Sequence, residues 1–345
     1  FFAFVPLTDA IGQNKTVVAL NGESTLRLVQ VDGDPSDGNI YQNYLVFVPT
    51  TASAVQRATI SSLAPASGAT VETVSPQITA VIQNRDTTVN TNTIKLFVNG
   101  TQVTPDISSS GNETTLAYTI TPLPASGSVI NASIQFTDNQ SVTQTNDWSF
   151  TITYRSLPPA TRIAGTGETR GMFYHMVQAP FDVQPLENTL ARAEAQLAPN
   201  STIPKVVDTN TMIAVVNFNT TEADAGDIPG DILPPGLEPD INGVNDFAVE
   251  ISAYLELTAG AHRFGVISDD GYKISVGSSL NDRNANPIAF HNGGTANESF
   301  DFYVPQDGLY PFRFVWYQRG GSGQAEWTSV DPETGNKVLV NHAQI

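Results

Sequence analysis

The 345-residue chain contains no cysteine. This absence excludes disulfide bonds, thiolate metal sites and a cysteine nucleophile. Basic residues are also few: 16 lysines and arginines stand against 34 aspartates and glutamates, for a formal net charge of -18. Because no basic patch is present to neutralise phosphates, we expect neither nucleic acid nor an anionic membrane as a partner. The acidic balance is compatible with divalent cations and with an extracellular setting.

Long apolar runs and a secretory leader are missing as well. No segment has the length and hydropathy of a transmembrane helix, so we expect no membrane insertion. The opening segment Phe1–Pro6 carries no charged n-region. Such a start is typical of the middle of a protein, so we expect the N-terminus to be a cleaved or unresolved boundary.

Catalytic motifs are absent from the sequence. There is no Gly-x-Ser-x-Gly elbow and no phosphate-binding loop. The four histidines show no metal-ligand spacing; they are His175, His262, His291 and His342. Counting alone leaves a glycosidase-type pair of carboxylates open, because acidic residues are abundant. We nevertheless expect a protein that is not an enzyme.

The residues that are present favour an all-β, multidomain protein. Hydrophobic residues make up 40% of the chain and charged residues only 14%. Thr, Ser, Asn and Gly fill the remaining surface, a composition typical of extracellular or cell-surface modules. The length allows two or three domains with cores of their own.

The first predicted domain covers residues 1–58. An Asn21-Gly22 turn follows an apolar strand, and a last apolar strand over Tyr44–Val48 ends at Pro49. This pattern resembles the closing part of a galactose-binding-like jelly roll, and a small-residue linker follows it. Fifty residues are too few for a complete jelly roll, so either its first half lies upstream or the segment packs on its neighbours.

The second predicted domain covers residues 59–155. Asn99-Gly100 joins two alternating strands and predicts a type I′ hairpin turn. Further short strands at regular spacing predict a β-sandwich; they are Thr115–Ile120, Val129–Thr137 and Asp147–Thr153. The segments Lys95–Gly100 and Trp148–Ile152 resemble bacterial immunoglobulin-like domains. That resemblance implies a spacer without shared catalytic residues.

The third predicted domain covers residues 156–345 and contains the one short helix, over Leu186–Leu197. Its apolar residues recur at helical spacing and predict a packing face, and Pro199 ends it. A strand over Ile213–Phe218 and a loop from Asn219 to Asp246 come next. The remaining strands are predicted at Phe247–Leu257, His262–Ser268, Tyr272–Val276, Phe300–Val304, Tyr310–Tyr317 and Gln324–Val330.

Four segments of this third region resemble the β-barrel domain named after bacterial protective antigen, which flocculins and glycosidase accessory modules share. They are Ala253–Gly260, Phe264–Gly271, Asp307–Phe312 and Gly323–Trp327. Their order and spacing fit across residues 205–335. The resemblance implies a protective-antigen-like barrel of a lectin-like or flocculin-like kind.

The resemblance also implies a candidate site. In sugar-binding members, two adjacent aspartates hold a calcium ion that coordinates sugar hydroxyls, and by position Asp269 and Asp270 match that pair. Paired carboxylates are a compact source of the hard oxygen ligands that Ca²⁺ prefers. The loop Gln318–Ser322 would complete the site, although it offers Gln318 and Ser322 where the family usually has Asn or Asp. The alternative is that Asp-Asp-Gly is only a tight turn.

Aromatic residues near this site have two alternative roles. Trp316, Tyr317 and Trp327 could stack on sugar rings, or they could belong to the core. Alternation along the strand places Phe312, Phe314 and Trp316 on one face, which we expect to be buried. Tyr317 stays a candidate ligand contact.

Two other acidic loops have a vague resemblance to cation sites. Asp32, Asp34 and Asp37 lack a downstream bidentate Glu. Asp240, Asn242, Asn245 and Asp246 precede a strand. In both places we expect an ordinary turn or solvated loop.

These observations predict a non-catalytic extracellular protein that binds carbohydrate or another surface ligand, with Asp269 and Asp270 as metal and ligand contacts beside Tyr317, Gln318 and Ser322. One alternative is a structural subunit of a bacterial surface layer, sheath or filament that polymerises by β-strand addition. Another is an accessory-module fragment of a carbohydrate-active enzyme.

Overall fold

The computed structural model describes residues 45–48, 56–180, 186–221, 224–332 and 334–341. These residues divide into two compact units. The first comprises the described residues up to Val71 together with Pro76–Pro124 and Ser128–Ile152, and the second comprises Glu72–Ser75, Ala125–Gly127 and the residues from Thr153 onward. Most of the predicted jelly-roll segment, including the Asp32–Asp37 loop, lies outside the described residues.

Residues 45–48 are the part of the jelly-roll segment that can be compared with its prediction. They form no strand, and Leu45, Val46, Phe47 and Val48 are exposed. The strand predicted over Tyr44–Val48 is therefore wrong for these four residues. An apolar run predicts a strand only where a neighbouring strand accepts its backbone hydrogen bonds, and these four residues pair with none of the described strands.

The described part of the first unit is built from nine antiparallel strands in two sheets, and their bounds are β1 Thr59–Ala64, β2 Thr70–Glu72, β3 Gln77–Gln83, β4 Val89–Val98, β5 Thr101–Val103, β6 Asp106–Ser110, β7 Glu113–Thr119, β8 Val129–Asp138 and β9 Thr143–Thr153. One sheet has the order β1-β3-β7-β6 and the other β2-β9-β8-β4-β5. Burial alternates along β3 and β8, because a strand with one face on the core buries every second side chain. The immunoglobulin-like resemblance of this unit stays a prediction.

The second unit contains eleven strands and two α-helices among the described residues, and their bounds are β10 Met172–Gln178, α1 Leu190–Leu197, β11 Val207–Ile213, β12 Asn217–Asn219, α2 Pro239–Asn242, β13 Phe247–Leu257, β14 Gly260–Asp269, β15 Tyr272–Val276, β16 Pro287–His291, β17 Ala296–Val304, β18 Gly308–Gln318, β19 Gln324–Val330 and β20 Lys337–Leu339. A short 3₁₀ helix, Pro159–Thr161, precedes them. The all-β fold class is confirmed.

Two sheets face each other in the second unit. The six-stranded sheet has the order β11-β10-β13-β18-β15-β16, and the five-stranded sheet joins β12-β19-β14-β17 with β20 beside β19. Aromatic rings fill the space between them: Phe314 of β18 stacks on Trp327 of β19 with 5.5 Å between ring centroids. Phe312, Phe314 and Trp316 are buried in this core, as strand alternation predicts.

Helix α1 packs on the outer face of the six-stranded sheet. It begins after Thr189, whose side chain accepts a hydrogen bond from the Arg192 amide, so it is one turn shorter than the predicted helix over Leu186–Leu197. Ala193 and Leu197 of the helix contact Val315 and Tyr317 of β18. The predicted packing face is confirmed.

The strand predicted over Ile213–Phe218 is wrong. β11 ends at Ile213 and pairs with β10 in the six-stranded sheet, whereas β12 begins at Asn217 and pairs with β19 in the five-stranded sheet. The residues between them carry the chain from one sheet to the other. A continuous apolar run does not reveal such a crossing.

Candidate functional site

The Asp269–Asp270 pair lies where β14 ends and the chain turns into β15. The peptide bond between the two residues is cis. The next residue, Gly271, leaves no room for a side chain: an added Cβ would lie 2.7 Å from the Tyr317 hydroxyl and 2.9 Å from the Gly293 nitrogen. The turn is therefore closely packed against the loop that follows β16.

Hydrogen bonds on both carboxylate oxygens fix Asp270, which is 5% exposed. Asn188 donates its Nδ2–H to Oδ1 and the Arg319 amide donates to Oδ2, both at 2.8 Å. The Asp270 amide donates to the Tyr317 carbonyl at 3.0 Å. Asp270 thus connects the segment before α1 to the first residues of the loop after β18.

Asp269 is arranged differently from Asp270. Its carbonyl accepts a hydrogen bond from the Trp316 indole at 3.0 Å, but its carboxylate is half-buried, and no hydrogen bond from the described residues contributes to its pKa. Burial, followed by the negative charge of Asp270, raises the pKa of the Asp269 carboxyl. The turn therefore carries one carboxylate that is fixed by hydrogen bonds and one that is not.

The Gln318–Ser322 loop begins at the end of β18. Gln318 is fully buried and donates its Nε2–H to the Gly320 carbonyl at 2.8 Å. Its Oε1 is buried and has no hydrogen-bond partner among the described residues. Ser322 is exposed. The loop thus offers an unpaired amide oxygen together with backbone carbonyls.

Tyr317 does not provide an exposed stacking surface. The side chain is fully buried, with the Arg192 guanidinium 5.0 Å from its ring centroid. Its hydroxyl accepts a hydrogen bond from the Gly293 amide at 2.7 Å. The pKa of the Tyr317 hydroxyl is raised, and burial is the largest cause. Trp316 and Trp327 are buried too, so the stacking platform that they could have formed is absent.

Three residues near the turn were not predicted from the sequence. Asn188 binds Asp270, Asn292 accepts from the Leu190 amide at 2.7 Å, and Gly293 donates to Tyr317. They come from two loops far from Asp269 in the chain, and neither loop carries a local motif. The loop before α1 and the loop after β16 meet at the turn.

The segment before β13 contains the second group of acidic residues that the sequence analysis considered, between Asp240 and Asp246. Asp246 has a φ angle of 55°, and burial raises the pKa of its carboxyl against the opposing charges of Arg192 and Arg319. Side-chain oxygens of Asn245 and Asp246 are buried without a partner in the described chain. Asp240 and Asn242 are placed instead in the short helix α2.

A cation at the Asp269–Asp270 turn would need ligands other than acidic side chains. Among the described residues, no three His, Cys, Asp or Glu side chains come together as a metal site. The hard oxygens that fit Ca²⁺ are the two carboxylates, the unpaired Gln318 Oε1 and loop carbonyls. Separately, the described helices include none with the length and hydropathy needed to cross a membrane.

Comparison with known proteins locates one family match. Residues 215–340 match the model of the PA14 domain family. This segment contains the Asp269–Asp270 turn and the Gln318–Ser322 loop. No curated protein matches the chain.

Several solved structures are similar to the chain. The PA14 sugar-binding domain from an RTX adhesin has 22% identity and a TM-score of 0.37, covering 50% of this chain and 95% of its own. The Epithelial Adhesin 9 A domain from Candida glabrata, solved with Galb1-3GlcNAc, has 16% identity and a TM-score of 0.35, covering 53% and 89%. The PA14 domain of the MpAFP antifreeze protein has 15% identity and a TM-score of 0.34, covering 52% and 93%.

Proposed function

We propose that the second unit binds a neutral carbohydrate through a calcium ion held at the Asp269–Asp270 turn, and that the protein acts as a non-catalytic extracellular or cell-surface binding protein. The observation that carries the proposal is the Asp269 carboxylate, whose pKa no hydrogen bond affects, beside the fixed Asp270 carboxylate. The loop after β18 adds the unpaired oxygen of Gln318. The PA14 family match over this same segment supports it.

The residues present fit a calcium ion. Ca²⁺ takes six to eight oxygen ligands in a flexible arrangement. Asp269 and Asp270 would supply charge, and Gln318 Oε1 and loop carbonyls would supply neutral oxygens. When bound, the ion would supply positive charge that recognises pairs of sugar hydroxyls as oxygen ligands.

The protein's own groups would orient the sugar. Asn188 and the Arg319 amide hold Asp270 in place, and the exposed Ser322 lies at the end of the loop. Aromatic stacking has no part in the proposal, because Trp316, Tyr317 and Trp327 are buried. Hydrogen bonds and calcium coordination would therefore dominate over ring stacking.

A calcium-dependent melting experiment on the whole chain tests the proposal. Adding calcium after chelator treatment should raise the Tm, because a ligand selective for the native state stabilises it. The combined variant Asp269→Asn, Asp270→Asn should lose at least part of this shift and all glycan binding on an array. A matched control, Glu238→Gln with Asp240→Asn, neutralises two acidic groups elsewhere and should bind glycans as the wild type does.

Two results would overturn the proposal. One is a wild-type chain that retains no glycan on the array with calcium present. The other is glycan binding that survives both chelator and the Asp269→Asn, Asp270→Asn change. In the first case the turn is only a turn, and the surface-layer or filament interpretation becomes the better one.

A further inference from the structure

A second group of oxygen atoms lies under the loop that leaves β12. The loop starts after Asn219 and returns beside the same strand, where the Ile232 amide donates to the Asn217 carbonyl at 3.2 Å and the Asn219 amide donates to the Ile232 carbonyl at 3.1 Å. We call its part from Asp224 to Asp231 the acidic loop. It closes over the face of the five-stranded sheet that points away from the aromatic core.

Glu326 of β19 is buried beneath the acidic loop, with 2% of its surface exposed. Its carboxylate accepts hydrogen bonds from the Asp227 amide at 2.9 Å and the Ile228 amide at 3.2 Å. Gly226, at φ +77°, approaches so closely that an added Cβ would overlap the Glu326 carboxylate. The loop is thus folded directly onto this side chain.

Asn217 shares the space under the loop with Glu326. The two residues are partners in the antiparallel β12–β19 pair, so their side chains lie on the same face about 5 Å apart at Cβ. The Asn217 Nδ2 donates to the Ile228 carbonyl at 3.2 Å and to the Pro229 carbonyl at 3.4 Å. These two acceptors fix the orientation of the amide, because a carbonyl accepts only from the NH₂ side.

The other end of the Asn217 amide is unsatisfied. Asn217 is 4% exposed, and its Oδ1 has no hydrogen-bond partner among the described residues. The same holds for Oδ1 of Asp231, whose Oδ2 accepts from the Ala225 amide at 2.6 Å. A buried oxygen without a donor is unfavourable by about 1–3 kcal/mol. Two such oxygens beside a buried carboxylate point to a missing positive partner.

Basic side chains do not supply that partner. The acidic loop carries Asp224, Asp227 and Asp231, and in the described structure its one ion pair with a basic residue is between Asp227 and Lys337. Burial, followed by the charges of Asp227 and Asp231, raises the pKa of Glu326. Burial and the charge of Asp224 likewise raise the pKa of Asp231. Burial and mutual repulsion thus disfavour the charged forms of Glu326 and Asp231, and a bound cation would offset this cost.

We propose that a calcium ion binds under the acidic loop, with the Glu326 carboxylate, Asp231 Oδ1 and Asn217 Oδ1 as its protein ligands. All three ligands are hard oxygen atoms, which Ca²⁺ prefers. Softer metals prefer sulfur or nitrogen ligands. The described residues contain no group of three His, Cys, Asp or Glu side chains that could hold a metal ion. The proposed site is of another kind, because its third side-chain ligand is an amide oxygen. This site is distinct from the Asp269–Asp270 turn.

The second ion would stabilise the Gln318–Ser322 loop, which takes part in sugar binding in the proposed function. Next to β12, the Thr220 amide donates to the Gly323 carbonyl at 2.9 Å, and the Gly323 amide donates to Thr220 Oγ1 at 2.7 Å. Gly323 directly follows the Gln318–Ser322 loop. Asn217, one of the proposed ligands, lies in β12, and Thr220 directly follows this strand. An ion bound to Asn217 would therefore also stabilise Thr220 and, through it, one end of the Gln318–Ser322 loop.

Calcium stoichiometry in the whole chain tests the proposal. Equilibrium dialysis of the chelator-treated protein against calcium should count one ion that Glu326→Gln removes, with affinity reduced by about tenfold or more when a charged ligand is lost. Asp231→Asn, which keeps an oxygen for the Ala225 amide, should weaken the same ion. Glu238→Gln is the control: it removes one exposed acidic group outside the acidic loop, so calcium binding should change by less than about threefold.

Hydrogen exchange separates the two sites. Calcium should slow amide exchange across residues 224–232 in the wild type and in the Asp269→Asn, Asp270→Asn variant, but not in Glu326→Gln. Protection that disappears only with Asp269 and Asp270 would overturn this inference and leave the proposed sugar site standing. A calcium count unchanged in both Glu326→Gln and Asp231→Asn, with both variants folded by circular dichroism, would overturn it as well.

Discussion

The side-chain amide of Asn188 donates a hydrogen bond to the buried carboxylate of Asp270 across 2.8 Å. The two residues are 82 positions apart in the chain. Asn188 immediately precedes Thr189, the N-cap of α1, so the helix on the outer face of the six-stranded sheet is connected to the candidate site. The position of α1 and the orientation of Asp270 are therefore coupled.

Replacing Asn188 should weaken the calcium binding that is proposed for the Asp269–Asp270 turn. In Asn188→Ala, Asp270 loses one of its two donors, and a hydrogen bond to a charged group contributes about 1.5–3 kcal/mol. We expect the calcium affinity of the turn to fall by about tenfold, since 1.4 kcal/mol corresponds to a factor of ten. Titration calorimetry measures this, with the exposed Asn286→Ala as control. Equal affinities in both variants would show that Asn188 does not position Asp270.

A buried ion network on β13, β15, β18 and α1 should dominate the stability of the second unit. Arg313 is 1% exposed and donates to Glu194 at 2.7 Å and to Glu250 at 2.6 Å. Burial opposes the charge of Arg313, but its hydrogen bonds to the Glu194 and Glu250 carboxylates raise the pKa of the guanidinium. Among the described residues, removing Arg313 leaves the buried Glu250 carboxylate with Arg283, at 2.7 Å, as its one remaining basic partner.

Arg313→Met should therefore lower the free energy of unfolding by about 3–5 kcal/mol, the range for breaking a buried pair on one side. Urea unfolding followed by tryptophan fluorescence measures this. The comparison is Arg263→Met, which breaks the more exposed pair with Asp301 and should have an effect of about 0–1 kcal/mol. Similar losses in both variants would contradict the assignment of Arg313 as the central residue of the network.

Much of the fold could be predicted because short apolar and aromatic runs are bounded by turn-forming residues. The predicted strands Phe247–Leu257, Tyr272–Val276 and Gln324–Val330 have the same bounds in the structure. The first seven residues of β13 are all buried, so the apolar run rather than alternation marked that strand. β10 is buried on both faces in its second half and was not predicted, because such a strand shows no alternation.

The site was predictable only in part, for a physical reason. Asp269, Asp270 and Gln318 lie in or next to strands whose pattern resembles a known family, so their neighbourhood could be inferred. The burial of Tyr317 could not, since it depends on α1 covering that face of β18. Asn188 and Gly293 lie in loops without a motif, and only the folded chain places them at the turn.

The Asn99–Gly100 hairpin turn gives a test of the first unit. Both residues have positive φ angles, 48° and 79°, as the predicted type I′ turn requires, and both are exposed. No atom lies within 4 Å of a Cβ added at Gly100, so a substitution there perturbs the backbone alone. Gly100→Val should destabilise the hairpin by about 1–3 kcal/mol, because β-branched residues disfavour positive φ.

Hydrogen exchange over residues 89–103 of the whole chain measures this change. Thr101→Val, which adds the same side chain one residue later inside β5, is the control and should leave exchange slow. Equal exchange in Gly100→Val and Thr101→Val would mean that the turn does not require a left-handed conformation.

The pH dependence of stability should report on Asp269. Burial and the charge of Asp270 raise the pKa of its carboxyl above the unfolded value, which is about 3.9 for aspartate. The native state therefore holds the proton more tightly than the unfolded state. The resulting stability is present below the unfolded pKa and is lost as pH rises through the folded pKa. In chelator, Asp269→Asn should gain Tm relative to the wild type as pH rises from about 4 to about 7.

Two comparisons fix the sign of this effect. Asp208 has a pKa lowered by hydrogen bonds from Lys205 and His175, so its contribution is present above the unfolded pKa and is lost on acidification. Asp208→Asn should therefore lose Tm relative to the wild type over the same rise in pH. Adding calcium at about pH 7 should reverse the order for Asp269 alone, because the ion stabilises only the ionised wild-type carboxylate. The prediction is contradicted if the Tm difference between Asp269→Asn and the wild type changes with neither pH nor calcium. The Asp269 carboxylate would then have no raised pKa and would not bind a cation.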